Sequence, residues 1–343
     1  MKSKTSFSLY IYIAFLMVTF LILIICVSIG SVNIPFFDSF KIMLNSVMGK
    51  ESDSNNMWKT IILFVRLPRV ICVALVGAGL SICGVAMQGL LRNPLADGFT
   101  LGISSGASLG AIIAIVFGLT IPSFLGYGTV TMAMIFAFLS LIFIINLAYK
   151  IDSSLSSNTI VLIGIVFNML ISSIINLLVT FAGERVKTVM FWLMGSLAGS
   201  NYLNVLTLAV GLTIFGTIIL RYSLELNALA ISEDNARHIG IDVKKIKIYI
   251  LIAVSALIGI CVSIGGIIGF VGLVIPHMTR MVVGPDHRKL LIAVAFAGAS
   301  FLMIADLLSR IILRPIELPI GVITSFVGSF VFIYIFYKSR KAK

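Results

Sequence analysis

The side chains that could do chemistry are few in this chain, and they are scattered. The three histidines, His238, His277 and His287, are far apart, with no pair four residues apart as in a helical metal site. The four cysteines lie within apolar stretches without paired spacing, which favours small buried side chains over a disulfide framework or a metal site. No G-x-x-x-x-G-K-[ST] motif is present, so a Walker A loop for nucleotide phosphates is absent. The sequence therefore predicts no catalytic site, no metal site and no cofactor.

Other polar side chains lie inside apolar segments. Asn168, Ser172 and Asn176 recur every four residues and would form one stripe along a helix. Such a stripe faces protein or a cavity in a membrane, so it either joins helices by hydrogen bonds or lines a pathway. Asp306 is a lone acid in or near a span. We interpret it as the partner of Arg310 one helical turn on, with a proton-coupling carboxylate as the alternative.

The most polar stretch, 223–247, carries the signals of a short helix in water. Ser232 is a suitable N-cap, Glu233 falls in the first helical turn, and Gly240 suits the position just beyond the helix end. An ordinary solvated loop is the alternative interpretation.

The elements that carry these residues are predicted to lie in lipid. Of 343 residues, 59% are hydrophobic and 11% are charged, and the mean hydropathy is +1.15, whereas a soluble domain has about 25% charged residues. The net charge of +12 comes from basic residues between apolar runs, which indicates membrane topology and not nucleic-acid binding. Lys2 and Lys4 precede an apolar run at 7–30, which we interpret as an uncleaved first helix because it is longer than a signal peptide's core.

The spacing of charged residues predicts an all-α polytopic membrane protein with about ten transmembrane helices. The basic residues favour both termini in the cytoplasm, and this orientation requires the stretch 248–279 to cross the membrane twice through short, glycine-broken helices. We expect one transmembrane domain over 1–343, with an extracytoplasmic loop at 31–60 that contains an amphipathic segment, and a cytoplasmic loop at 223–247.

The chain from about residue 60 to its end resembles the FecCD-type permeases, the ABC importer subunits for iron-siderophores, haem and vitamin B12. The longest matching stretch, at 66–110, reads RLPRVICVALVGAGLSICGVAMQGLLRNPLADGFTLGISSGASLG. Further matches follow in order: FWLMGSLAGS at 191–200, ALAISEDNARHIGIDVKK at 228–245, GFVGLVIPHMTRMVVGPDHRKLL at 269–291, ADLLSR at 305–310 and ELPIGVITSFVGSFVF at 317–332.

This resemblance implies a type II ABC importer permease fold in the cell membrane. It implies a second permease chain, identical or homologous, two cytoplasmic ABC ATPase subunits that hydrolyse ATP, and an extracytoplasmic substrate-binding protein. The chain itself is then not an enzyme. The cargo implied first is a ferric siderophore, with haem or vitamin B12 (cobalamin) as alternatives. An ion-coupled secondary transporter is the more distant alternative, because it would be expected to have several intramembrane acids.

The resemblance also assigns roles to residues. The residues implied to couple to the ATPase are Leu229, Ser232, Glu233, Ala236, Arg237 and Gly240. The tight inner turn at 284–286 adds Asp286 and the nearby Arg280 as a predicted second contact. Those implied to dock the binding protein are Arg66, Arg69 and Arg310, with anchoring at the membrane interface as the alternative. Those implied to line or gate the pathway are Asn168, Ser172 and Asn176, with Met190 and Met194 at the outer mouth and Ser154 at a cytoplasmic gate.

Overall fold

The fold is helical throughout the part of the chain that a computed structural model describes, namely residues 4–30, 32, 34–48, 56–119 and 128–341. In chain order the α-helices are α1 (Lys4–Ser28), α2 (Phe36–Val47), α3 (Asn56–Thr60), α4 (Leu67–Leu91), α5 (Ile103–Phe117), α6 (Gly128–Ile151), α7 (Ser157–Thr180), α8 (Val186–Leu193), α9 (Tyr202–Arg221), α10 (Ser223–Ile231), α11 (Glu233–His238), α12 (Val243–Gly265), α13 (Val271–Val283), α14 (His287–Ile311) and α15 (Ile320–Lys341).

Seven described segments are long and apolar enough to cross a membrane. They are α1, α6, α7, α9, α12, α14, and the continuous segment formed by α3, the π-helical turn Ile61–Arg66 and α4. Shorter apolar helices, α5, α13 and the first part of α15, bring the number to ten. The prediction of about ten transmembrane helices is thus confirmed. The turn expected between α5 and α6 lies mostly at 120–127, outside the described residues.

Helix α4 lies at the centre of the bundle and packs backbone to backbone against its neighbours. A Cβ atom at Gly84 would lie 1.9 Å from the carbonyl oxygen of Gly272 on α13, and one at Gly77 would lie 2.3 Å from that of Gly298 on α14. Lipid supplies no hydrophobic force between helices, so their association depends largely on dispersion contacts. Close approach of the backbones increases the number of these contacts. The small residues of α4 therefore fix the bundle around it.

Two non-helical stretches are linked by hydrogen bonds between their backbones. The stretch 194–201 follows α8, and the stretch 266–270 separates α12 from α13. Ser196 N donates to the Gly265 carbonyl at 2.9 Å, and Ile320 N donates to the Gly195 carbonyl at 3.0 Å. Because non-helical backbone needs partners at membrane depth, these bonds explain how α12 and α13 can be separate crossings. The predicted double crossing of 248–279 is confirmed.

The two ends of the described chain lie at one end of the bundle. Near the start of α1, the Tyr12 hydroxyl donates to the carbonyl of Lys289 in the first turn of α14. At the far end of α14, Leu318 N donates to the Ser309 carbonyl, and α15 then runs back. Helices α10 and α11 also lie at the end where α14 begins, since Asn227 bonds to His287. We call this the inner end, in accord with the predicted cytoplasmic location of both termini, and the opposite one the outer end.

A short surface helix lies within the predicted extracytoplasmic loop. Helix α2 has one buried side, with Ile42 fully covered, and one open side, with Phe37 84% exposed. This agrees with the amphipathic segment expected at 31–60.

Candidate coupling, docking and pathway sites

At the outer end, a buried carboxylate joins two arginines. Arg69 Nη2 lies 2.9 Å from Asp306 Oδ1, and Arg310 Nε lies 2.9 Å from Asp306 Oδ2. Asp306 is only 1% exposed. A second carboxylate, on the half-exposed Glu317, lies 2.7 Å from Arg69 Nη1. We call these four residues the Asp306 cluster. The predicted pairing of Asp306 with Arg310 is confirmed, whereas Glu317 was not singled out from the sequence.

The arginines also close the end of α1. Arg310 Nη1 donates to the Ile29 carbonyl at 2.8 Å and Nη2 to the Cys26 carbonyl at 3.0 Å. Arg66 donates to the carbonyls of Val27, Ser28 and Val32. The last carbonyls of a helix have no partners within the helix, so these guanidinium groups satisfy them.

The three arginines therefore differ from the exposed docking groups that were expected. Arg66, Arg69 and Arg310 do lie at helix ends, but each is buried and bonded within the chain. A glutamate of another protein could reach them only by exchange with these internal partners. Arg314, which the sequence reasoning passed over, is exposed beside them.

At the inner end, four elements meet at one carboxylate. Glu233, the first residue of α11, accepts on Oε1 from Lys247 Nζ at 2.8 Å and from Ser157 Oγ at 3.1 Å. Arg92, just after α4, approaches the same oxygen at 4.0 Å. Lys247 is fully buried, and its Nζ also donates to the Leu155 carbonyl at 2.8 Å. We call this arrangement the Glu233 cluster. The predicted coupling residue Glu233 thus points into the chain.

Three other predicted coupling residues, Ser232, Gly240 and Arg237, lie on α11 or at its ends. Ser232 caps α11 as predicted, accepting from the backbone N–H groups of Asp234 and Asn235. Gly240 follows the helix with φ of +86° and open space around it, as expected for a residue beyond a helix end. Arg237 is exposed, and so are the apolar side chains of Ile231, just before α11, and Ile239, just after it.

Two of the predicted coupling residues are placed differently. Leu229 and Ala236 are both 0% exposed, so neither presents its side chain to another protein. Leu229 anchors α10 in the core and Ala236 anchors α11. The expectation that they contact the ATPase directly is corrected: they hold the helices whose other sides are open. Small and aliphatic side chains at these positions gave no sign of which side of each short helix faces inward.

Asp286 and Arg280 lie at the same end, where Asp286 ties α10 to the start of α14. Asn227 Nδ2 donates to Asp286 Oδ1 at 2.8 Å, and Asn227 Oδ1 accepts from His287 N at 2.8 Å. The hydrogen bonds that Arg288 donates hold the pKa of Asp286 well below its usual range. Arg280 turns inward, and its Nη2 donates to Gln88 Oε1 at 3.1 Å.

The residues of the polar stripe on α7 differ in their surroundings. Asn168 joins three elements, accepting from Ser105 Oγ and donating to the Phe99 carbonyl, both at 2.5 Å. Ser172 and Asn176, further along the helix, are exposed on a face that no described part of the chain covers. The interpretation of the stripe as a link between helices therefore holds for Asn168, and the pathway role of Ser172 and Asn176 stays a prediction.

A tight turn precedes α7. Ser154 is exposed there, and both its N–H and its hydroxyl donate to Asp152 Oδ1, at 2.9 and 2.6 Å. These bonds from Ser154 hold the pKa of Asp152 well below its usual range. Leu155 is buried with φ of +52°, a conformation that is costly for a side chain with a Cβ atom.

Near the break after α8, an open cavity of about 740 Å³ is lined by Met194 together with Phe99, Phe270 and Phe326. Its walls also include Asp97, whose carboxylate accepts from the backbone N–H groups of the turn that follows it. Met190 is half exposed on α8 and does not line this cavity. Among the residues that the structure describes, no group of three or more His, Cys, Asp or Glu side chains could hold a metal ion.

Ten apolar helices with charged clusters at the two ends of the bundle define a polytopic helical membrane protein. The chain matches the model of the FecCD transport family over residues 17–338, and it belongs to that family. It is a permease of an ABC importer and a multi-pass protein of the cytoplasmic membrane.

Similar proteins agree with this assignment. The chain is 41% identical to an uncharacterized ABC transporter permease protein, YvrB, of Bacillus subtilis, covering 93% of this chain and 91% of that one. It is 34% identical to the hemin transport system permease protein HmuU of Yersinia pestis, covering 94% and 95%. A solved ABC transporter described as of metal-chelate type, in an inward-facing conformation, matches with a TM-score of 0.84 and 30% identity, covering 96% and 99%.

Proposed function

We propose that this chain and a second permease chain form the pathway by which an intact ferric chelate, a ferric siderophore first, enters the cell. Two cytoplasmic ATPase subunits drive the step, and an extracytoplasmic binding protein delivers the cargo. The observation that carries the proposal is the open face of α7, where Ser172 and Asn176 interrupt an exposed apolar surface. Membership of an importer family makes a pathway the natural use of such a face.

The open face of α7 is suited to a pathway shared by two chains. Exposed polar groups at helical spacing are costly in lipid, so they call for a cavity or for a second protein surface. Met169 and Leu177 flank them on the same exposed side. A second copy, or a homologous chain, would enclose this face and leave its weakly polar groups facing a wide passage, with Ser154 near its inner entrance. We assign Met190 and Met194 to the outer mouth.

The inner end offers a surface for an ATPase subunit. Ile231 and Ile239, which precede and follow α11 in the sequence, are 74% and 71% exposed, and Arg237 on α11 is exposed too. Arginine is enriched among the residues that contribute most of the binding energy at protein interfaces, and the exposed isoleucines offer apolar surface for a partner to cover. Ser232 and Gly240 fix the start and the end of the helix that presents this surface. Asp286 holds the neighbouring helix α10 through Asn227, and Arg280 holds α13 to Gln88 on α4.

The outer end offers a positive surface for a binding protein. Arg66, Arg69 and Arg310 outnumber the two carboxylates of the Asp306 cluster, and the exposed Arg314 adds another positive charge. Such an excess would steer acidic groups of a binding protein to this end. In this proposal the buried arginines act by shaping the end of α1 and by supplying charge, while Arg314 and the rim make contact.

The cargo follows from what the described residues lack and what the cavity contains. Because they offer no ligand set for a bare metal ion, a metal would cross with its chelator. A hemin permease among the relatives, together with the three aromatic rings at the cavity, favours haem as the second candidate.

The test is uptake by the complete transporter, with its ATPases and its binding protein, in proteoliposomes. A panel of iron-55 siderophores and hemin is offered with ATP, without ATP, and with ATP after the ion gradients are collapsed by ionophores. We expect ATP-dependent accumulation of at least one ferric siderophore that does not respond to ionophores. Uptake driven by an ion gradient in the absence of ATP would overturn the mechanism, and uptake of hemin alone would replace the cargo.

A further inference from the structure

Lys247 is an unusual residue to find fully covered at the edge of a membrane protein. Its side chain is 0% exposed, although a lysine beside the inner end of the bundle could reach water easily. Burial of an ammonium group is costly unless it is paired and hydrogen-bonded. Lys247 meets this requirement with two partners, Glu233 Oε1 and the Leu155 carbonyl, each at 2.8 Å.

These two partners belong to elements with different neighbours. Glu233 begins α11, whose other side is open to a partner at Arg237 and Ile239. Leu155 lies in the turn that leads into α7, which carries the open polar face. Lys247 itself is on α12, a helix buried over most of its length. The ammonium group of Lys247, carried by the buried helix α12, therefore joins α11 to the turn at the start of α7.

The joint is reinforced from the side of α7. Ser157, the first residue of α7, donates to the same Oε1 of Glu233. The turn before it is held in a single shape by Asp152, which accepts from Ser154, Ser156 and Thr159. A turn so restrained, with Leu155 in a left-handed conformation, would move as one piece. Displacement of α11 by a fraction of an ångström would therefore be passed to α7 and not absorbed between them.

We propose that Lys247 is the positioning residue that transmits motion of α11 to the inner end of α7, so that work done by the ATPase opens and closes the pathway there. This rests on the proposed function, because it requires an ATPase on α11 and a pathway along α7. Lys247 touches neither cargo nor ATPase in this role. Its loss should separate ATP hydrolysis from transport without preventing either the folding of the chain or the assembly of the complex.

The principal variant is Lys247→Met, which keeps the length of the side chain and removes its charge and its donors. The matched control is Lys245→Met, because Lys245 is two residues away on the same helix, is 70% exposed and pairs with Asp242, which is itself exposed. Lys247→Arg is a partial rescue, since it keeps the charge and can still donate to both partners. Each is reconstituted as the complete transporter with its binding protein.

The first measurement is the number of cargo molecules imported per ATP hydrolysed. We expect this ratio to fall at least tenfold in Lys247→Met, to recover in part in Lys247→Arg, and to be unchanged in Lys245→Met. A Lys247→Met transporter with the wild-type ratio would overturn the proposal. If the wild-type complex itself shows no ATP-dependent uptake, the proposed function fails instead, so the two failures are distinguishable.

The second measurement separates transmission from simple destabilisation and also serves if Lys247→Met assembles poorly. Spin labels at the exposed positions Asn235 and Ser153 report the α11-to-turn distance, by pulsed electron paramagnetic resonance, in otherwise wild-type protein and in the milder variant Glu233→Gln. We expect one narrow distance, with and without ATP, in wild type. In Glu233→Gln the distribution should broaden and shift when ATP is added. A distance that stays narrow in both states in this variant would contradict the proposal.

Discussion

Arg69 and Asp306 are 237 positions apart in sequence, and their side chains meet within 2.9 Å at the outer end of the bundle. The pair joins α4, the central helix, to α14, the helix that packs most extensively against it. Both residues are almost fully buried. An ion pair in this position fixes how far α14 can slide along α4, because separation of the pair would leave two charges without partners in a region poor in water.

Substitution of Asp306 should therefore be severe. In Asp306→Asn, the buried Arg310 loses the carboxylate that compensates its charge, while the buried Arg69 retains the half-exposed Glu317. We expect the folded state to lose about 3–5 kcal/mol, mostly from Arg310. The measurement is the thermal or denaturant midpoint of the purified protein in detergent. Glu317→Gln is the matched control: Glu317 is half exposed, and a pair of this kind contributes no more than about 1 kcal/mol. Equal midpoints for the two variants would contradict the role given to Asp306.

The close contact between α4 and α13 should be sensitive to added side-chain volume. Gly84→Val would place a Cβ atom only 1.9 Å from the Gly272 carbonyl oxygen, so the two helices must separate. Such overpacking costs about 1–3 kcal/mol or more, and we expect most of the protein to be lost from the monodisperse peak in size-exclusion chromatography. Gly199→Ala, where a Cβ atom would meet nothing within 4 Å, should elute like wild type. Normal elution of Gly84→Val would show that α4 and α13 are not packed this closely.

The cap of α11 can be tested locally. Ser232→Ala removes the oxygen that accepts from two backbone N–H groups of α11, and the cost of a lost N-cap is about 1 kcal/mol. We expect hydrogen exchange at 234–238 to speed up about fivefold, with exchange in α12 unaffected. Asn235→Ala, at an exposed position of the same helix that caps nothing, should leave those rates within a factor of two. Unchanged exchange in Ser232→Ala would mean that α11 is held by its packing alone.

Much of this architecture could be predicted from the sequence because lipid leaves few alternatives. Long apolar runs between charges must be helices that cross the membrane, and the basic residues orient them. The double crossing at 248–279 followed from orientation alone. Ser232 and Gly240 were predictable since helix caps are local and depend on neighbours only a few residues away.

The rest depends on contacts between distant positions. Whether an arginine near a helix end is exposed or buried is decided by what packs over it: Arg310 is covered by the end of α1, about 280 positions away. The burial of Lys247 could not be predicted from the sequence. It belongs to a run of three lysines, Lys244, Lys245 and Lys247, which is typical of a solvated surface, and of the three only Lys247 is buried. Ala236 and Arg237 are neighbours on one short helix, but Ala236 is buried and Arg237 is exposed. Which of them faces the protein depends on how α11 packs against the neighbouring helices.

The open side of α11 gives the last prediction. Ile239 is 71% exposed and contributes nothing to the described core, so Ile239→Glu should leave the stability and the elution of the permease unchanged. If the ATPase binds this side, Ile239 becomes buried in the complex, and a glutamate there would place a charge in the interface. The binding of purified ATPase, measured by titration, should then weaken by more than about 1.4 kcal/mol, which is tenfold in Kd. Lys187→Glu, exposed at the start of α8 and far from α11, should bind as wild type does. Wild-type affinity in Ile239→Glu would place the ATPase elsewhere on the inner end.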